Sequence, residues 1–309
     1  MATTAAPMQQ ILSVRSRGSN GCHESFSALV SRMLLLTKRR DSRPANEEEY
    51  VSDTHSTAMG GAAVEVGNDL PEFLTQDYSQ YTREDHETWK MLYSRRMDAL
   101  KDNGSQIYLS GAKLIGLEPD RLPDLKEVNA RLAARTGWAA VGVGGFMPPV
   151  MFFRCLAKRR FPTTLTIRPR AKLDYLPEPD IFHDVFGHVP LHADPVFADF
   201  LQHFGALAAV SPGEKETEEM ARLFWFTVEF GLINEGGRTK VYGSGLISSH
   251  GDAANALGPK CERRPFDLDA VIAQPYEIDH MQDVLFVVES FEQLFAAVET
   301  IAERRGVRV

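Results

Sequence analysis

Apolar residues recur at helical rather than strand spacing along most of the chain, and the recurrence begins near residue 72. Thr82, followed three positions later by Asp85, opens a run in which Trp89, Leu92, Tyr93, Met97 and Leu100 share a face. Asn103-Gly104 closes it, which predicts one long amphipathic helix. Pro123 opens a second, through Leu125, Val128, Leu132 and Ala133, ending near Gly137. The stretch Trp138 to Pro149 is Gly-rich and reads as a loop beneath the core, and Phe161 to Arg168 alternates in the manner of a short strand. Further helices are expected over 178–188, 194–209, 216–232 and 290–305. No internal repeat, low-complexity tract or interdomain linker follows residue 71. The expected fold is therefore mainly α with a small β component, a single domain over 72–309.

Residues 1–71 show almost no periodicity and read as a mostly disordered N-terminal extension. The first 45 hold seven basic and two acidic side chains, a net of +5, so the other 264 carry −13 of the overall −8. A basic, Ser-rich, acid-poor leader suits an organellar transit peptide, and equally a plain extension or an upstream start codon. Its apolar run, Met33 to Leu36, is too short for a secretory signal. Over 309 residues the composition, 43% hydrophobic and 25% charged, is that of a soluble globular protein. The acidic balance argues against an electrostatic nucleic-acid binder, and no run approaches the roughly 20 apolar residues of a membrane span. The cysteines, Cys22, Cys155 and Cys261, form no CxxC, which excludes a disulfide scaffold or thiolate zinc finger and points to a reducing, cytoplasmic setting.

The chemistry lies in Pro177-Glu-Pro-Asp-Ile-Phe-His183-Asp-Val-Phe-Gly-His188-Val-Pro190. Histidines five apart are separated by about 140° on an ideal helix and cannot share a face in mid-helix. Gly187 and Pro190 suggest that the helix ends at His188, where a loosening turn can swing the second imidazole toward the first. Two core histidines with ordinary hydrogen bonds explain the spacing as well. A third group strengthens the case: Glu229 sits among Phe224, Trp225, Phe226, Val228, Phe230 and Leu232, where an unpaired carboxylate is costly. It is either paired with a buried arginine or bound to a metal. Two histidines and one carboxylate with open positions suit non-haem Fe(II) oxygen chemistry. A zinc hydrolase can use the same ligands, but neither HExxH nor HxxEH is present, and neither His183 nor His188 stands in the His-x-Asp word usual in 2-oxoglutarate oxygenases.

These words, with Trp225-Phe-Thr-Val-Glu-Phe-Gly-Leu, Tyr242-Gly-Ser-Gly-Leu-Ile-Ser-Ser and Glu289-Ser-Phe, resemble the aromatic amino acid hydroxylases over about residues 72–300, most closely the short bacterial phenylalanine hydroxylases. The resemblance implies an enzyme that uses Fe(II), O2 and a tetrahydropterin, such as tetrahydrobiopterin, to hydroxylate the ring of a free aromatic amino acid. On matching positions His183, His188 and Glu229 would hold the iron. Arg168 would pair with the substrate carboxylate, a task suited to guanidinium, with Asp180 holding that arginine in place. Trp225, with Pro179 and Phe230, would wall the aromatic pocket, Gly245 would let the substrate approach closely, and Ser248 would fix His183. Phe152 would stack on the pterin, with Gly145 and Met147 in the loop that cradles it and Asp184 nearby.

Two departures follow from the same comparison. Asp184 is shorter than the glutamate of animal members, and Phe224 replaces their tyrosine. The animal regulatory domain and tetramer-forming heptads have no counterpart, so a monomer without amino acid allostery is expected. Phenylalanine is the expected substrate and tryptophan the alternative, with Leu176 standing where animal phenylalanine hydroxylases have threonine.

Overall fold

The computed structural model describes residues 62–63, 66–67, 69–144, 147–173, 179–211, 213–277 and 280–308. Helix α1, Arg83–Asn103, starts at the expected capping box: the Thr82 hydroxyl accepts from the Asp85 N–H and the Asp85 carboxylate accepts from the Thr82 N–H. Gly104 follows its last residue, and Trp89, Leu92 and Leu100 bury the expected face. Helix α3, Leu125–Arg135, is capped by Asp124 rather than opened by Pro123. Between them lies α2, Gln106–Leu114, a helix the sequence pattern did not reveal because only three of its residues are buried.

The Gly-rich stretch is not wholly loop. Strand β2, Ala139–Gly142, pairs in parallel with β3, Arg160–Thr163, and α4, Pro149–Ala157, makes the crossover. The expected strand over 161–168 thus ends early. Helix α5, Pro195–Ala209, and helix α10, Phe291–Arg304, fall within a residue or two of expectation. Helix α6, Glu214–Phe224, runs on without a break into a π turn, Trp225–Glu229.

Beyond that turn the chain builds a four-stranded sheet in the order β5-β4-β7-β6 from Leu232–Glu235 (β4), Arg238–Val241 (β5), Glu262–Pro265 (β6) and Val284–Val288 (β7). The β4–β5 hairpin is antiparallel and the other two pairings are parallel. Short helices α7, Ser244–Ser248, α8, His250–Leu257, and α9, Leu268–Ala273, lie between β5 and β7. A last strand, β8 (Val307–Arg308), pairs in parallel with β1 (Ala62–Ala63), which lies inside the segment read as mostly disordered. The expected disorder and transit peptide of residues 1–61 lie outside the described residues.

One continuous core joins these elements. Trp89 of α1 meets Phe182 and Phe186 edge-on at centroid distances of 5.4 and 6.2 Å, and Phe182 stacks on Phe186 at 4.5 Å. No described helix is long and apolar enough to cross a membrane.

Candidate metal centre and its pocket

The segment that carries both histidines, Phe182–His188, is a π-helix rather than an α-helix that frays at its end. In such a helix the hydrogen bonds reach five residues on and a turn takes about 4.4 residues, which cuts the angle between positions five apart from about 140° to roughly 50°. His183 and His188 therefore share a face, with ring centroids 5.1 Å apart and planes nearly perpendicular. Contacts outside the segment hold this winding. The Tyr108 hydroxyl of α2 donates to the Phe186 carbonyl at 2.9 Å. Gly187 lies against Ser244, where a Cβ would come within 3.1 Å of the Ser244 carbonyl oxygen.

Glu229 ends the second π turn, where the Phe230 N–H donates five residues back to the Trp225 carbonyl at 2.8 Å. One carboxylate oxygen lies 3.3 Å from His188 Nε2 and the other 3.7 Å from His183 Nε2. The three residues each offer a ligand atom, all within 4.8 Å of one another. None of the arginines pairs with Glu229 among the described residues, so the salt-bridge alternative is not what the fold builds.

Polar groups behind the ligands orient them. The Ser248 hydroxyl donates to the Ser244 carbonyl at 2.8 Å, which leaves it to accept from His183 Nδ1 at 2.9 Å. His183 is then protonated at Nδ1 and bare at Nε2, the nitrogen that faces Glu229. The Ser244 hydroxyl donates to Glu229 Oε2 at 2.6 Å. Burial alone would push the Glu229 carboxyl up, but the imidazoles of His188 and His183 and the Ser244 hydroxyl outweigh it and hold the group at about 2. Burial also lowers His183 to about 4, despite the neighbouring Glu229. At neutral pH the cluster is a carboxylate facing a neutral His183, the protonation a divalent cation needs.

Beside the cluster, Asp180 takes both Nε and Nη2 of Arg168 at 2.8 Å in a two-pronged pair and accepts the Arg168 N–H at 2.9 Å. The same carboxylate accepts from the His183 N–H at 3.0 Å. Asp180 thus ties the arginine to the first turn of the histidine segment. Among the described residues Nη1 has just a long 3.4 Å contact to the Leu173 carbonyl.

Two rings pack on Trp225. Phe230 packs on one side at 4.6 Å and Tyr276 stacks on it at 4.6 Å with 20° between planes. The Trp225 indole N–H donates to Gln282 Oε1 at 3.3 Å. A Cβ at Gly245 would meet the Glu229 carbonyl and the Phe230 ring at 3.1 Å, so this glycine serves the packing of α7 against the second π turn. Ser248, on the same short helix, bonds to His183.

Phe152 is held edge-to-face at 5.9 Å by each of Phe153, Phe161 and Phe224. Met147 is buried nearby in sequence, and Gly145 and Leu176 lie outside the described residues. Asp184 accepts from the Thr164 N–H at 2.6 Å and its hydroxyl at 2.9 Å, yet burial still raises the acid to about 7.

Sequence reasoning did not find Tyr276, Ser244, Thr164 or Gln282 as members of this site. Ser244 was readable, since it lies in the Ser-Gly-Leu word; a lone tyrosine or glutamine in a loop carries no such signal. His192 was also overlooked: it is buried, stacked on Trp138 at 4.5 Å, with neither ring nitrogen bonded among the described residues.

A family model described as biopterin-dependent aromatic amino acid hydroxylase matches residues 40–305. Phenylalanine-4-hydroxylase of Chromobacterium violaceum is 41% identical over 236 residues, 76% of this chain and 80% of the relative. That of Caulobacter vibrioides is 41% identical over 222 residues, 72% and 76% of the two chains. The crystal structure of the C. violaceum enzyme with bound iron(III) and the oxidized cofactor 7,8-dihydrobiopterin superposes with a TM-score of 0.71 at 41% identity, covering 75% of this chain and 85% of that one.

Proposed function

From the premise that this chain belongs to the biopterin-dependent aromatic amino acid hydroxylases, we propose that it converts L-phenylalanine to L-tyrosine, with Fe(II) held by His183, His188 and Glu229 and a tetrahydropterin as co-reductant. The observation that carries this reading is the cluster of two imidazoles and one carboxylate, with ligand atoms within 4.8 Å, beside an arginine locked by Asp180. The donor set fits the metal: two neutral-nitrogen ligands and one anion on one side leave other positions open.

With both cofactors bound, the iron and reduced pterin supply the oxygen chemistry, one atom of O2 going to the ring and the other to the pterin. The protein's part is placement and exclusion of water. Arg168 offers its remaining guanidinium N–H groups to the amino acid carboxylate while Asp180 keeps it from swinging. Trp225, Phe230 and Tyr276 confine the ring by shape, and Phe152 offers the pterin a face to stack on. Ser248 and Ser244 hold the ligand atoms aimed at one point, so little reorganisation is needed when the metal enters. No side chain is required as a general base at the ring. The cytoplasm and a monomeric state are part of this reading.

Anaerobic reconstitution with Fe(II), followed by product analysis with and without tetrahydropterin, tests it. Pterin-dependent tyrosine is the expected result. Pterin-dependent 5-hydroxytryptophan from tryptophan, without tyrosine from phenylalanine, would keep the chemistry and overturn the substrate; no product from either, with zinc in the purified protein, would overturn both.

A further inference from the structure

Two of the three ligands depend on α7, a helix of five residues. Ser244 and Ser248 stand four apart on one face of it and reach Glu229 and His183. A single turn of helix has almost no stability of its own, and its last carbonyls lack intrahelical partners. Its position must therefore be set from outside.

Arg96 does this. It lies on α1, is 3% exposed, and donates Nε to the Ile247 carbonyl at 2.7 Å and Nη2 to the Leu246 carbonyl at 2.8 Å. Both carbonyls belong to α7, between the two serines. Nη1 has no partner in the described structure, and no carboxylate there ion-pairs with the side chain. Burying a guanidinium without a direct ion pair is expensive, and Asp252 compensates it only through its charge at a distance. The two bonds it makes are charge-assisted and fix two consecutive carbonyls in a planar fork, which a lysine cannot reproduce.

We propose that Arg96 is a positioning residue for the metal centre, acting through the Leu246 and Ile247 carbonyls to set the two serines that aim His183 and Glu229. The inference rests on the reading of His183, His188 and Glu229 as the iron ligands. It links α1 to the geometry of two ligands.

The test uses the full chain with Co(II) as the metal probe, read by dissociation constant and visible absorption, independent of turnover. Loss of a partner that orients a metal ligand costs about 10–100-fold in affinity, and Arg96→Met should lie near the lower end of that range, with an altered Co(II) spectrum. Arg96→Lys, which can reach one carbonyl, should fall between Met and wild type, and it carries the test alone if the Met variant fails to fold. Leu100→Ala, one turn along α1 and matched for lost thermal stability, should leave affinity and spectrum unchanged. In the pair Arg96→Met with Ser248→Ala, or Arg96→Lys with Ser248→Ala, the combined loss should be smaller than the product of the single losses, because part of the Arg96 effect runs through the Ser248–His183 bond. Wild-type affinity and spectrum in the Arg96 variants would overturn the proposal, as would an equal loss in Leu100→Ala or fully multiplicative losses in the pair. Wild-type protein that binds no Co(II) would instead overturn the metal-centre reading, and the role of Arg96 with it.

Discussion

Asp180 holds three groups at once, and its removal should separate stability from substrate recognition. Its carboxylate is 2% exposed and the Arg168 side chain 11%, so the pair is buried and only lightly screened by solvent. Asp180→Ala leaves that guanidinium without its counter-charge, which typically costs about 3–5 kcal/mol. For a folded unit of this size that lowers the melting temperature by about 6–20 °C. The second effect is on recognition. Without its anchor Arg168 no longer presents Nη1 in a fixed place, and a charge-assisted contact worth about 1.5–3 kcal/mol is lost, or about 10–150-fold in binding. Inhibition by two truncated ligands isolates this part: 3-phenylpropionate keeps the carboxylate and phenethylamine lacks it. The variant should bind the first 10–150-fold more weakly, as above, and the second almost unchanged, both measured at a temperature where the variant stays folded. Equal weakening of the two would refute the reasoning, since it would mean general loosening rather than loss of a carboxylate clamp.

Phe152→Leu keeps the core filled but removes a ring face; if that face stacks on the pterin, the KM for tetrahydropterin rises about 2–10-fold while that for phenylalanine holds, and an unchanged pterin KM would exclude the stacking role. His192→Phe should stabilise the metal-free protein, because a buried imidazole with two unbonded nitrogens is replaced by a ring that needs none, a gain of about 1–3 kcal/mol by thermal or urea unfolding. Burial holds His192 well below the ordinary histidine range, so its neutral form contributes stability that is present above about pH 6.5 and lost as the pH falls. The advantage of the Phe variant should therefore widen on acidification; a gain that shrinks toward pH 5 would contradict the assignment. Asp184 has the opposite sign: raised to about 7, it contributes stability present below about pH 4 and lost as pH rises through 7. In Asp184→Asn the metal-free protein should lose more stability than wild type when taken from pH 7 to pH 5, and parallel profiles would show that the acid is not perturbed.

What was legible in the sequence was whatever is decided locally. The Thr82–Asp85 box and the face from Trp89 to Leu100 fix α1 within its own residues, and α5 and α10 are equally self-contained. The sheet was not legible, because β4 to β6 are four residues each and β4 finds β7 more than fifty residues away. The candidate ligands were legible from composition, since a carboxylate inside Phe224 to Leu232 demands an explanation. Their geometry was not. Two histidines five apart look mismatched under an α-helical period, and nothing in Phe182–His188 itself announces a wider turn. The winding is held from outside, by the Tyr108 hydroxyl on the Phe186 carbonyl and by Gly187 against α7. The expected loosening at His188 was the right direction for the wrong reason, since the segment is regularly wound throughout.

The same distribution of contacts indicates where the pocket is able to change. His183, Glu229 and Arg168 are each bonded by a group from another part of the chain, and a substitution at Glu229 or Arg168 deprives a buried polar partner, Ser244 or Asp180, of that bond and is costly twice. The wall is different. Trp225 is confined on its faces by Phe230 and Tyr276 through ring contacts, with one long hydrogen bond to Gln282. Apolar walls discriminate by shape, at roughly 1–3 kcal/mol per methylene-sized difference, and they repack without stranding a charge. A change of preferred aromatic amino acid is therefore reachable through Tyr276 and Phe230 while the metal centre and the carboxylate clamp stay as they are. Tyr276→Leu, which opens space over Trp225 without touching any of the three ligands, should raise the kcat/KM for tryptophan relative to phenylalanine by about 5–100-fold. An unchanged ratio would place the discriminating contact elsewhere than on this wall.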